Sequence, residues 1–240
     1  MSHRSVVAVS WPVLAFLALS FSAQIAIQAN QPAPSARAEA LPAPATPAII
    51  RVASLNEPIA AAQLLTLYLQ AFDNQPGISI PFHDLDYARV IAWLETVLAL
   101  DGMGQYPLLM ASQLYAQVPI DAKQRSMLDF VHRMFREDPP RRWRWLAHAA
   151  IVAKHRLKDD ALALRYADDI ARLAQEAPSW ARQMRIFILE DMGELDSATV
   201  LLGGLLATGE IDDRNEIRFL TQRLEQMKKS AEKSAPVSRN

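Results

Sequence analysis

The chain has 240 residues, with 25 lysines and arginines set against 26 aspartates and glutamates. So balanced a charge provides no global field to gather nucleic acid or an anionic surface. The absence of cysteine excludes disulfide frameworks, thiolate metal sites, cysteine nucleophiles and a lipidated cysteine.

Residues 6–27 contain no charged side chain. As a helix of about 33 Å they match a hydrocarbon core of roughly 30 Å. His3 and Arg4 precede the run and the next charge is Arg37, so the positive-inside rule leaves the N-terminus in the cytoplasm and sends the rest across. Ser20, Phe21 and Ser22 also offer small residues for cleavage before Ala23, as in a signal peptide. The apolar run continues through Ile25 and Ile27, longer than the usual core of such a peptide. Residues 1–28 are therefore read as an anchor in the bacterial inner membrane, with a cleaved signal as the alternative. Both place the following domain in the periplasm.

Residues 29–47 form a linker in which Pro32, Pro34, Pro42, Pro44 and Pro47 recur. Locked φ angles and missing N–H groups favour an extended, polyproline-like spacer. Beyond it, residues 48–228 read as helices cut by proline, glycine or aspartate. The expected spans are 48–55, 57–73, 84–100, 105–117, 121–137, 141–156, 159–175, 178–192, 195–208 and 212–228. Asp84 is the expected N-cap of the third. The β-like residues 77–80, between Pro76 and Pro81, are expected to form a loop. Residues 229–240 are expected to be a disordered tail.

Short connections make successive helices antiparallel, and a period runs through the turns. Ala122, Ala161 and Ala198 each lie just inside the second helix of a hairpin, 39 and 37 residues apart. Pro139 and Pro178 each follow their alanine by 17 residues, with Trp143 and Trp180 close behind. The segment Met192-Gly193-Glu194-Leu195-Asp196-Ser197-Ala198 resembles the inter-helix turn of the tetratricopeptide repeat family, in which glycine gives the tight turn and alanine the close helix approach. Asn56-Glu57-Pro58-Ile59-Ala60-Ala61 is a weaker copy. The resemblance covers residues 105–210 well and 48–100 loosely, with a longer period and a later proline than the family pattern. It implies an all-α fold of antiparallel helix hairpins in a short right-handed solenoid, closed by the last helix as a polar-backed cap. An irregular helical bundle is the alternative.

No phosphate loop, nucleophile elbow or paired-carboxylate centre is present, and the chain is not expected to be an enzyme. His132, His148 and His155 lack metal-site spacing, so no metal, cofactor or small-molecule substrate is expected. The cluster Arg141-Arg142-Trp143-Arg144-Trp145 is read chiefly as helix-entry packing with a solvated edge, and contact with a partner or phospholipid is the alternative. Nearby Glu137, Asp138, Asp159 and Asp160 argue against nucleic acid. Tyr68, Trp93, Tyr106, Tyr115 and Phe130 are expected in the core.

The function these features suggest is a membrane-anchored protein–protein interaction scaffold that holds an envelope protein against its first helices. The expected partner-binding residues are Gln113, Arg144, His148, Arg182 and Arg185. Two other functions compete: an accessory subunit assembled through its transmembrane helix, and an envelope hydrolase.

Overall fold

The computed structural model describes residues 10–30, 38–75, 77–209, 211 and 213–234, with side chains to residue 230. It is helical almost throughout. Helix α1 (Trp11–Ala29) is long and apolar enough to cross a membrane, and none of its residues is buried. Residues 6–9 of the apolar run lie outside the described residues.

The remaining helices are α2 (Pro47–Ala53), α3 (Pro58–Ala71), α4 (Tyr87–Leu100), α5 (Tyr106–Leu109), α6 (Asp121–Glu137), α7 (Pro139–His155), α8 (Asp160–Leu173), α9 (Ser179–Asp191), α10 (Leu195–Thr208) and α11 (Arg214–Ser234). Proline sits in the first turn of α1, α2, α3, α5 and α7. There its missing N–H costs no hydrogen bond and its fixed φ already suits a helix. Helix α11 runs past the expected end at residue 228, so its last turn includes part of the expected tail; residues 235–240 lie outside the described residues.

Three local expectations are corrected. Asp86, not Asp84, caps α4, its carboxylate accepting from the backbone N–H groups of Ala88 and Arg89. Asp84 lies in a short 3-10 turn, Phe82–Asp84. The expected loop at 77–80 supplies half of an antiparallel hairpin, β1 (Asn74–Gln75) with β2 (Ile78–Ser79), around Gly77 at φ 77°. Finally, the expected helix over 105–117 changes pitch, from α5 into a π-helical turn (Met110–Leu114) and then a 3-10 turn (Tyr115–Gln117). The carbonyls this releases are taken up by side chains. Gln117 donates to Ser112, Tyr87 to Tyr115 and Gln124 to Ala116, as buried backbone acceptors require.

The N-terminal approach to α2 is held against the domain. Leu41 is buried in the main core, the Trp93 indole donates to the Pro42 carbonyl at 2.9 Å, and Gln75 exchanges two hydrogen bonds with the Glu39 backbone. Residues 31–37 of the expected linker lie outside the described residues.

One core cluster runs from Leu41 to Ile188, and a second joins Ile186, Leu189, Ala198, Leu202, Ile211, Leu220 and Met227. Phe130, Tyr115 and Trp93 lie inside, whereas Tyr68 and Tyr106 face solvent, contrary to their expected core placement. Of the three periodic alanines only Ala198 is buried; Ala122 and Ala161 are at the surface. Close approach is supplied instead by Ala149, Ala150 and Ala153 on α7 and by Ala163 and Ala167 on α8, all wholly buried. Gly193 has φ 82° and open space where a Cβ would stand, so the turn needs its conformation rather than its small size. Lys158 takes the same left-handed conformation between α7 and α8.

Side-chain contacts between alternate helices fall at similar sequence offsets. Arg142 reaches Gly102 and Trp145 reaches Gln105, both 40 residues away. Lys123 meets Leu85 and Arg133 meets Glu95 at 38. Tyr166 meets Asp129 and His132 meets Asp169 at 37, as Lys154 meets Asp191. Gln183 meets Glu216 and Arg223 meets Glu190 at 33. Where one pair of segments repeats an offset, as α6 and α8 do at Asp129–Tyr166 and His132–Asp169, the two run side by side in the same direction.

Arg142 fastens three of these elements. It is buried and donates to the Met134 carbonyl at 2.6 Å, the Gly102 carbonyl at 3.1 Å and the Glu137 carboxylate at 3.1 Å. Removing it leaves the buried Met134 carbonyl and the part-buried Gly102 carbonyl without this donor, and charged hydrogen bonds of this kind are the strong ones. Arg142→Met is expected to lower stability by about 3 kcal/mol, read from the midpoint of urea unfolding; a loss near zero would show that water replaces the guanidinium.

Candidate functional site

The five expected binding residues fall on three elements. Gln113 is exposed on the π-helical turn. Arg144 is exposed on α7, its guanidinium 5.7 Å from the centre of the Trp143 ring. His148, two turns in from the start of α7, is half-buried. Burial is the main influence on its pKa and lowers it, while a hydrogen bond with the Ser112 backbone works weakly in the other direction. Arg182 and Arg185 are half-buried on α9.

Only the last two meet in one place. With Gln175, Gln183, Ile186 and Leu205, Arg182 and Arg185 line a cavity of about 220 Å³. Two acidic side chains bind residues of this lining. Asp168 stands 3.4 Å from Arg185, and Glu216 accepts from Gln183 at 2.6 Å. Gln113, Arg144 and His148 do not line it. The row is nevertheless connected, because Trp143 meets Trp180 edge to face with ring centres 5.6 Å apart. That geometry suits the aromatic quadrupoles, and it joins the entry turns of α7 and α9. Trp180 remains 53% exposed.

The arginine–tryptophan cluster divides by face. Arg142 and Trp145 point inward, and the Trp145 indole donates to Gln105 at 2.7 Å. Arg141 is exposed and pairs with Asp138, Trp143 is half-buried against the main core, and Arg144 is exposed. Glu190 and Asp191 bind different helices, through Arg223 of α11 and Lys154 of α7. His83 and Asp84 form an exposed pair at 3.4 Å. Among the described residues no three histidine, aspartate or glutamate side chains converge as a metal site would require.

Sequence reasoning missed a polar group between α6 and α8. His132 Nε2 lies 2.6 Å from Asp169, which also binds Arg172, and Tyr166 packs against the imidazole while donating to Asp129. The signal was available as a histidine and an aspartate 37 residues apart, within the spacing of the turn alanines. Burial works to raise the Asp169 pKa, but hydrogen bonds and charge from His132 and Arg172 together outweigh it and hold the carboxyl below its ordinary value. Tyr87 is pushed up to about 12 by burial.

No protein-family model matches the chain, and no curated protein or solved structure matches it.

A depressed aspartate pKa stabilises the fold above the unfolded value near 3.9 and ceases to do so as pH falls through the folded value. Asp169→Asn is therefore expected to be less stable than the parent chain at pH 7. The gap should close as pH is lowered below about 4, followed by urea unfolding at a series of pH values. A gap that stays constant down to pH 3 would show that the ionised carboxylate contributes nothing.

Proposed function

We propose that this chain is an inner-membrane-anchored interaction scaffold whose periplasmic helices bind another envelope protein. The helices are arranged as tetratricopeptide-like hairpins in a short right-handed solenoid. The observation that carries this reading is the recurrence of contacts between alternate helices at similar offsets, 33 to 40 residues along the chain. Stacked hairpins produce such offsets, because each unit touches its neighbour at equivalent positions. These offsets bracket the turn period of 37 to 39 residues in the sequence. In this arrangement the segment 106–117, α7 and α9 are first helices and share one face.

Binding is passive. The outermost Gln113, Arg144 and Trp180 supply amide, cationic and aromatic contact, with Arg182 and Arg185 deeper in the row. Arginine and tryptophan are the side chains that most often dominate protein interfaces. Helix α1 supports the anchor through its length, its apolar composition and its full exposure. Confinement at a membrane raises the effective concentration of any partner held there, so modest affinity suffices.

The test is site-specific photocrosslinking in cells, with the crosslinker placed singly at Gln113, Arg144 or Trp180 and, as controls, at Arg165 and Glu225. The full chain is compared with residues 38–240 exported behind a cleavable signal, a boundary that keeps Leu41 and Pro42 on the domain. One envelope protein joined at the first three positions in both forms is the expected result. Adducts from the anchored form alone would shift recognition to α1 and support an accessory subunit assembled in the membrane. Gln113→Ala with Arg144→Ala should reduce the adduct at Trp180 several-fold and leave thermal unfolding nearly unchanged, since both side chains are exposed.

A further inference from the structure

Helix α3 is uncharged and largely apolar, its polar residues being Gln63, Thr66 and Gln70, and a helix of that kind is expected to bury most of its surface. None of its fourteen residues, Pro58–Ala71, is charged, yet only Ala61, Ala62 and Leu69 are buried. Ala60, Leu64, Leu67 and Ala71 follow one another at helical spacing as a single outward stripe, with Tyr68 beside it, and all five are exposed. Leu64 is 68% exposed and Leu67 60%. Helix α2 adds Val52 at 80% and the turn after it Leu55 at 89%. Across residues 40–72 the only charges are Arg51 and Glu57. Arg51 is turned to the domain, donating to the Ala99 carbonyl at 2.6 Å. A continuous apolar surface of this kind marks a contact.

We propose that this α2–α3 face rests on the membrane surface, its leucines and Val52 in the interfacial layer of the bilayer and Tyr68 at the level of the headgroups. The proposal rests on the reading of α1 as a retained membrane anchor. Covalent geometry selects the bilayer as the occupant. Asn30 ends α1, and Ala38 already lies against the domain beside Phe72, which closes α3. The eight peptide links between them span at most about 29 Å in any conformation. Leu67 and Tyr68 stand little more than one helical turn before Phe72. The C-terminal half of the stripe is thus held within about 40 Å of the end of the anchor.

The chemistry of the face agrees with lipid. It offers aliphatic side chains for the acyl boundary and a tyrosine whose ring and hydroxyl suit the interface. With no cation on the stripe, adhesion depends on apolar burial and not on anionic headgroups. It is therefore expected to be insensitive to salt and to occur on zwitterionic lipid. Tethering removes most of the cost of bringing the face to the surface.

The absence of native cysteine permits a direct test on the full chain. Single cysteines are placed at Val52, Leu64 or Leu67 and, as controls, at the exposed Gln175 and Glu225. Each is labelled with an environment-sensitive fluorophore, and the protein is reconstituted in phosphatidylcholine vesicles with or without a shallow doxyl-labelled lipid. Blue-shifted emission and doxyl quenching several-fold stronger at the first three sites than at the controls, unchanged in 0.5 M salt, is the expected result. Equal quenching at all five sites, or none at any, overturns the proposal. A blue shift at the stripe without doxyl quenching, growing with protein density, would assign the face to a second copy and also overturn it. Flotation after alkaline carbonate treatment separates the two readings. A chain that floats with its stripe unquenched retains the anchor and loses the docked face, whereas a chain that is extracted loses the anchor on which the docking depends.

Discussion

Helices α7 and α8 form the most extensively packed pair in the fold, and what lies between them and their neighbours is largely alanine. Ala149, Ala150, Ala153, Ala163 and Ala167 contribute no bulk that would hold the backbones apart, and all are wholly buried. The large residues that fill the remaining space, Phe130, Phe135, Leu146, Tyr166 and Ile170, come from α6, α7 and α8 together. Close packing of this sort is intolerant of added volume. It fixes the spacing of the central helices, and with it the positions from which Arg142, His132 and Tyr166 reach across to other elements. The polar contacts depend on that spacing, because each joins a side chain on one helix to a group on another element at hydrogen-bond distance.

Much of the helix order was legible in the sequence. The spans 121–137 and 195–208 agree with α6 and α10, and most others differ by one to three residues at an end, because proline and aspartate mark helix starts by mechanisms that act within a single turn. The departures arise where distant residues decide. Asp84 and Asp86 are equally good caps in isolation; in the fold, Leu85 and Tyr87 are both buried, the Tyr87 hydroxyl reaches the Tyr115 carbonyl, and the helix begins at Tyr87. The pitch change at Met110–Leu114 depends on acceptors being met by Gln117, Tyr87 and Gln124, and no local pattern announces it. Ala122 and Ala161 keep their expected places just inside α6 and α8 but face solvent, so they do not supply the close helix approach.

The candidate surface was less legible. A side chain's type shows what it can bind, while its face depends on where the partner helices run. Arg142 and Arg144 are two residues apart and of identical chemistry; one is enclosed by carbonyls and the other stands over Trp143. Tyr106 and Tyr115 are nine apart on one predicted helix, and the change of pitch between them leaves the first in solvent and the second in the core. Arg182 and Arg185 could be grouped from spacing alone, being one turn apart on α9. Their neighbours across the cavity, Leu201, Leu205 and Ile211, come from α10 and beyond.

The segment ahead of α2 also has a mechanical consequence. Because Leu41 is buried and the backbone at Glu39 and Pro42 is bonded to Gln75 and Trp93, tension applied from the N-terminal side does not enter the fold at the first turn of α2. It arrives at the β-hairpin and the middle of α4, and the first bonds to carry load are those of Gln75. These can open one after another without disturbing the helices behind them. The segment thus acts as a shock absorber, with several residues of slack that are released before any helix is pulled from the core.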